Sequence, residues 1–238
     1  TGGGNHVMCR SADSAARGFA LMVTHPAGLA VKLPDTLSMA DGALIEPLAV
    51  SLYGVRMSPM KPGDRVLVLG GGTVALYAIY WARRLGAGKI VAASRSARRK
   101  DLCLAMGADA FVPFGDAETG EVAEALGGAP DIVFECVGAE GMLGKAIAHA
   151  KIYGHVTSLG FCTYPDPVMP AMAAYKCVTL QFLVGYRMEE FTFSADQMDK
   201  GHHDPKAIIT RTVALDDLPA MMTQLRGSNS ETKVHVLV

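Results

Sequence analysis

The chain has 238 residues, half of them hydrophobic, with 26 glycines and a formal net charge of −1. That is material for one large or two small domains, and the near-balance of charge argues against a nucleic-acid or membrane partner. No apolar run reaches spanning length, Thr1 onward shows no secretory-leader pattern, and the five scattered cysteines never form a CxxC pair, so a reduced cytoplasmic setting is expected.

The opening Thr1–Cys9 reads as the inside of a loop rather than a chain start, which points to an N-terminal part lying outside this sequence. Short strand-like pieces follow at Ala20–Thr24 and Leu29–Leu33, punctuated by Pro26 and Pro34. Ser38 reads as the N-cap of a helix over Met39–Leu44. Glu46-Pro47 reads as the start of a second helix, with proline in a first-turn position where its missing N–H does no harm. Lys61-Pro62-Gly63-Asp64 is a tight turn feeding a buried strand, Arg65–Leu69. Gly70-Gly71-Gly72, a helix over Thr73–Leu85, a Gly86-Ala87-Gly88 stop and a strand over Lys89–Ala93 complete a strand–helix–strand unit.

The alternation continues. Helices are expected at Arg98–Met106, Glu118–Leu126 and Met142–Ala150, with strands at Ala110–Val112, Asp131–Cys136, His155–Leu159 and Val178–Val184. This pattern argues for an α/β fold with a doubly wound parallel sheet and right-handed crossovers. In the tail, Met188–Lys200 and Asp217–Leu225 read as helices, Ile208–Val213 and Lys233–Val238 as strands.

The glycine turn carries the first functional signal. In a G-x-G-x-x-G turn the glycines serve the bend, the approach of backbone to a pyrophosphate, and close helix–strand packing. Gly70 and Gly72 fill the first two places and Ala75 the third, at a cost of one methyl group. The helix from Thr73 would aim its free N–H groups at the phosphates. The end of the second strand then discriminates between nucleotides. NAD calls for an Asp or Glu there, whereas the extra phosphate of NADP calls for arginine. The chain reads Ala93-Ser94-Arg95-Ser96-Ala97-Arg98-Arg99, with no acid before Asp101. Arginines at a helix start oppose its dipole unless an anion sits there, and a guanidinium binds phosphate bidentately. The reading is NADP, with NAD the alternative.

The motifs Arg17-Gly18-Phe19-Ala20, Val31-Lys32-Leu33-Pro34-Asp35, Gly42–Val50, Lys61–Gly70, Gly107-Ala108-Asp109, Glu135-Cys136-Val137-Gly138 and Lys233-Val234, in this order and spacing, resemble the zinc-dependent medium-chain alcohol and polyol dehydrogenase family. The resemblance implies a Rossmann domain over residues 51–186 and a partial GroES-like, β-rich catalytic domain. The latter would be made from residues 1–50 and a return segment, 187–238. It implies hydride transfer between an alcohol, polyol or carbonyl substrate and NADP(H), assisted by Zn²⁺ acting as a Lewis acid. By resemblance Glu46 faces that metal as ligand or through its bound water, and is the one catalytic position retained. A plain reading of Glu46 is a helix N-terminal carboxylate satisfying the dipole. The cofactor positions implied are Gly70, Gly72, Thr73, Val74, Ser94, Arg95, Arg99, Val137, Gly138, Leu159, Gly160 and Lys233. Cytoplasmic homodimers or homotetramers are implied, joined through an edge strand near Val178–Val184.

Nothing in the chain matches the half of the catalytic domain that carries the family's Cys and His-Glu zinc ligands. Cys9 falls about where the last cysteine of the family's structural-zinc lobe would stand, but one Cys makes no Cys₄ site. Two rival readings therefore stay open: a zinc-free quinone-reductase-like enzyme, and a catalytically silent NADP-binding fragment. His202-His203-Asp204 reads as an exposed turn, Cys136 and Cys162 as packing residues at strand ends, and Met169, Met172, Met188, Met221 and Met222 as core filling.

Overall fold

In the computed structural model the described residues are 30–201, 205–227 and 229–237. The strand expected at Ala20–Thr24, Arg17–Ala20, Cys9 and His202-His203-Asp204 lie outside them. The chain divides into two compact units, residues 50–184 and residues 1–49 with 185–238.

The larger unit is organised by β1 (Arg65–Leu69), whose last four residues are completely buried. A strand covered on both faces has no polar side to show, which is why it reads Val-Leu-Val-Leu rather than alternating. It pairs in parallel with β2 (Lys89–Ser94) on one side and β4 (Ile132–Glu135) on the other. With β3 (Ala110–Pro113), β5 (His155–Ser158) and β6 (Thr179–Phe182) the sheet has six parallel strands in the order β3-β2-β1-β4-β5-β6. The chain order reverses between β1 and β4, the switch point at which doubly wound sheets open a crevice beyond the strands' carboxyl ends. The register sets Leu69, Glu135, Ser158 and Phe182 side by side along that edge.

Helix α1 (Met39–Met57) comes first in the described chain, followed by α2 (Thr73–Arg84) after β1. Eight consecutive residues of α2, Ala75–Ala82, are buried, including Tyr77 and Trp81, so it is covered nearly all round. On the other side α4 (Glu118–Leu126) and α5 (Met142–His149) close a core of Leu67, Leu69, Val91, Val122, Leu126, Val133 and Val156. Each such side chain contributes about 1.5–3 kcal/mol relative to exposure. The second strand is followed by a short 3₁₀ turn, Ala97–Arg99, and α3 (Lys100–Ala105).

In the other unit, α7 (Met188–Asp199) is joined to the 30s segment by the Thr36 hydroxyl, which donates to Asp199. Strands β7 (Ile209–Ala214) and β8 (Lys233–Leu237) pair in parallel, connected by α8 (Leu218–Arg226). Among the described residues this two-stranded sheet is all the β-structure the unit shows.

Four expectations need correcting. Residues 30–33, read as part of a strand-like piece, form no strand. The region Met39–Met57 is one helix, not two, with Pro47 inside it. Proline removes one rung of the helix ladder, but Leu44, Leu48, Ala49 and Leu52 are buried to within 0% exposure on a continuous face, and that burial outweighs the lost bond. The N-cap at Ser38 is correct: its hydroxyl accepts the Asp41 amide (3.2 Å), and Asp41 accepts the Ser38 amide (2.8 Å). A helix that the sequence reading lacked, α6 (Pro170–Lys176), precedes β6 and buries none of its residues. Of the methionines expected in the core, Met221 is buried, whereas Met169 and Met222 are exposed.

Candidate functional site

The first candidate site residues meet at the carboxyl ends of β1 and β2. Gly70 adopts φ +122°, a conformation that favours glycine. A Cβ placed on it would lie 3.4 Å from that of Ala75, the residue in the third glycine place. Ala75 is completely buried, so its single methyl fills the helix–strand contact without forcing the two apart. Gly72 is the exposed N-cap of α2 and offers no side chain to the first-turn amides. Thr73 and Val74 are half-buried in that first turn, and the Val74 carbonyl accepts the Ser51 hydroxyl (3.0 Å).

The N-termini of the crossover helices differ in a telling way. Glu118 and Glu121 occupy the first turn of α4, and Asp101 that of α3. At α5, the Asp166 carboxylate accepts the Gly141 amide (2.6 Å) and the Leu143 amide (3.1 Å). Among the described residues, α2 carries neither an acid in its first turn nor a side-chain cap. The short α6 between β5 and β6 shares that lack, so of the helices longer than one or two turns that follow β1 to β4, α2 is the one whose positive end carries no carboxylate of the chain.

The end of β2 supplies matching cations. Ser94 is half-buried, Arg95 exposed, and the turn that follows is capped by the Ser96 hydroxyl accepting the Arg98 amide (3.3 Å). Because residues 97–99 form a 3₁₀ turn and α3 begins only at Lys100, Arg98 and Arg99 precede the helix rather than opening it. The two cations therefore do not oppose the dipole of α3 from within its first turn. A Cβ on Gly71 would meet the Arg99 side chain at 3.0 Å and the Ser94 hydroxyl at 3.6 Å. Ser94, Arg99 and the glycine turn therefore stand together, and no acid occurs in the sequence from Ser94 to Lys100.

On the far side of β1, Val137 and Gly138 follow β4, and Leu159 and Gly160 follow β5. Val137 is 42% exposed, and its Cγ2 lies 3.3 Å from a Cβ position on Gly70. The Leu159 side chain lies over Gly54 of α1, which leaves its backbone, beside Gly160, on the crevice side. Glu135, quoted in the motif but given no role, proves to be the hub: it is 1% exposed and holds both turns. A cavity of about 230 Å³ opens beside Gly138 and Gly160, with Leu143, Cys162, Tyr164 and Asp166 in its wall. Burial, and then the Glu135 charge, push the Cys136 thiol well above its ordinary value, in keeping with a packing role rather than a nucleophilic one.

Glu46 is exposed and sits in the third turn of α1, so its reading as a helix N-terminal carboxylate is wrong. Removal of water by its surroundings raises its pKa, and the charge of Lys233 on β8 pulls it back. Among the described residues no group of three His, Cys, Asp or Glu side chains stands close enough to hold a metal ion. Glu46 alone does not make a zinc site.

A family model described as zinc-binding dehydrogenase matches residues 73–199. The (R,R)-butanediol dehydrogenase of Bacillus subtilis (strain 168) is 34% identical over 202 residues, which are 84% of this chain and 58% of that protein. The crystal structure of 2R,3R-butanediol dehydrogenase from Bacillus subtilis matches with a TM-score of 0.79 and 32% identity, covering 87% of this chain and 60% of that one. A structure from Sinorhizobium meliloti 1021, classed as a zinc-binding dehydrogenase and bound to NADP, gives 0.79 and 28%, covering 87% and 61%. This chain thus spans 58% to 61% of the lengths of these relatives. With the sheet order, the glycine turn and these matches in agreement, the chain belongs to the zinc-binding dehydrogenase family, as a homologue of its medium-chain alcohol and polyol dehydrogenases.

Proposed function

We propose that this chain is the nucleotide-binding part of an NADP-linked oxidoreductase acting on an alcohol, a polyol or the corresponding carbonyl compound. The observation that carries the choice of NADP is the meeting of Ser94 and Arg99 over Gly71 with no carboxylate at the end of β2. A 2′-phosphate there gains charge-assisted hydrogen bonds and meets no repulsion. The NADP carried by the Sinorhizobium meliloti relative supports the same reading. Residues 51–186 form the nucleotide domain, and 1–50 with 187–238 belong to a GroES-like catalytic domain.

In that reading Gly70, Gly72, Thr73 and Val74 present backbone to the pyrophosphate, Ser94, Arg95 and Arg99 take the 2′-phosphate, and Val137, Gly138 and Gly160 border the second nucleotide. Lys233 is assigned to the pyrophosphate, beside Glu46. When bound, the nicotinamide would supply the acceptor for a hydride from the alcohol carbon, with the hydroxyl proton passing to solvent as the carbonyl forms. The described residues do not fit a zinc ion by themselves. Glu46 is the residue of this chain assigned to face one, with the remaining ligands in the part of the relatives' length that this chain does not span. The butanediol-dehydrogenase relative favours a small vicinal diol as substrate. Cytoplasmic homodimers or homotetramers, joined through β6, complete the reading; no helix of the described residues is long and apolar enough to cross a membrane.

A second reading is a chain that binds NADP without turnover, Glu46 being the one residue of this sequence assigned to the metal. Titration of the chain with NADPH and NADH, followed by nicotinamide fluorescence, tests the cofactor choice: NADPH is expected to bind at least about tenfold more tightly. Tighter binding of NADH would sink the NADP reading. Turnover of a diol with NADP would eliminate the silent one.

A further inference from the structure

Strands β4 and β5 end side by side, Glu135 opposite Ser158. The Glu135 carboxylate is 1% exposed, and both of its oxygens are taken by the chain itself. Oε1 accepts the amides of Val137 (2.6 Å) and Gly138 (2.8 Å), and Oε2 accepts the Ser158 hydroxyl (3.0 Å). Its main-chain carbonyl accepts the amides of Leu159 (2.7 Å) and Gly160 (3.0 Å). One residue therefore fastens the turn after β4 to the turn after β5.

The fastening leaves little room for adjustment. Gly138 has φ +66°, and a Cβ on it would come within 2.5 Å of the Phe161 amide nitrogen; one on Gly160 would come within 2.6 Å of the Glu135 carboxylate. Burying a carboxylate against neutral donors is expensive, and the fold does not require it, since the neighbouring β1 ends in Leu69 at the same register. The expense is placed where it fixes a particular surface. The Cys136–Gly138 turn stands against Gly70, with the Cys136 carbonyl carbon 3.5 Å from a Cβ position there. That is the wall of the switch-point crevice facing the glycine turn. In a sheet of two mononucleotide-binding halves, the half formed by β4–β6 receives the second nucleotide.

We propose that Glu135, acting through the Cys136–Gly138 turn, is the positioning residue for the nicotinamide nucleotide of the bound dinucleotide. This rests on the dinucleotide reading of the site. Glu135 does not touch the ligand; it sets the backbone that does, and Ser158 completes its hold.

The test compares two ligands on the full chain: NADPH, and 2′-phospho-ADP-ribose, which has the adenosine half and no nicotinamide. Glu135→Gln keeps the side-chain size and one acceptor. It is expected to weaken NADPH about tenfold and to leave 2′-phospho-ADP-ribose unchanged within about twofold. The emission of bound NADPH is expected to move toward that of free NADPH. Ser158→Ala, which removes a single hydrogen bond, gives the same split on a smaller scale and serves if Glu135→Gln does not fold. Equal weakening of both ligands, or no change in either, overturns the proposal. Failure of the unaltered chain to bind either ligand overturns the dinucleotide reading, and the proposal with it.

Discussion

Arg99 lies across the backbone of Gly71, so that a Cβ on that glycine would stand 3.0 Å from the Arg99 Cβ and 3.1 Å from its Cγ. The two residues come from turns that follow different strands, and the contact sets the cation beside the phosphate-binding turn. Arg99→Ala is therefore expected to weaken NADPH by about ten- to a hundredfold, the value of one charge-assisted hydrogen-bonded pair, while NADH changes little. Arg95→Asp is expected to reverse the preference. Gly71→Ala, which must push Arg99 aside, lies between them. Parallel titrations with the two nucleotides give the answer, and equal losses for both would detach the arginines from the 2′-phosphate.

Ala75 is expected to tolerate a smaller side chain but not a larger one. Ala75→Val adds two methyl groups against Gly70 at a position with no exposed surface, at a cost of about 1–3 kcal/mol. Ala75→Gly costs about 1 kcal/mol through helix propensity alone and leaves NADPH binding intact. Thermal melting with and without NADPH separates the two; a harmless valine would show that the contact is loose.

Asp131 governs the acid side of the stability curve. Burial would raise its pKa, but hydrogen bonds from Lys151 and from the Arg65 backbone and side chain prevail and hold it at about 2, against an ordinary 3.8. A folded value below the unfolded one contributes stability that is complete above the unfolded pKa and is lost as the pH falls toward the folded one. The contribution is about 2 kcal/mol. Asp131→Asn should lower the urea midpoint at neutral pH and match the unaltered chain near pH 2. A difference that persists unchanged in acid would assign the effect to packing.

The alternation of strands and helices was legible because each βα step carries its own punctuation, such as Gly127 closing α4 in a left-handed conformation. Where local rules misled, longer-range burial had overruled them. Pro47 read as a helix start because proline is a local signal, whereas the buried face through Leu44, Leu48 and Leu52 is a tertiary one. Helix α6 escaped notice because it buries none of its residues and so leaves no apolar period to read. The glycine turn and the Ser94–Arg99 cluster could be found from spacing. Glu135 and Asp166 could not, since each does its work on turns whose nearness only the sheet order creates: Ser158 is 23 residues from Glu135, and Gly141 is 25 from Asp166.

Asp166 has one more effect. A sheet assembled from two similar halves offers two helix ends, α2 and α5, on which a pyrophosphate could be seated, and a dinucleotide is itself roughly a molecule of two similar halves. With α5 closed by the Asp166 carboxylate and α2 carrying no acid in its first turn, the two helix ends are electrostatically unlike. An anion from outside the chain meets repulsion at one and none from the first turn of the other, so the near-symmetry of the two halves is broken by a single internal carboxylate.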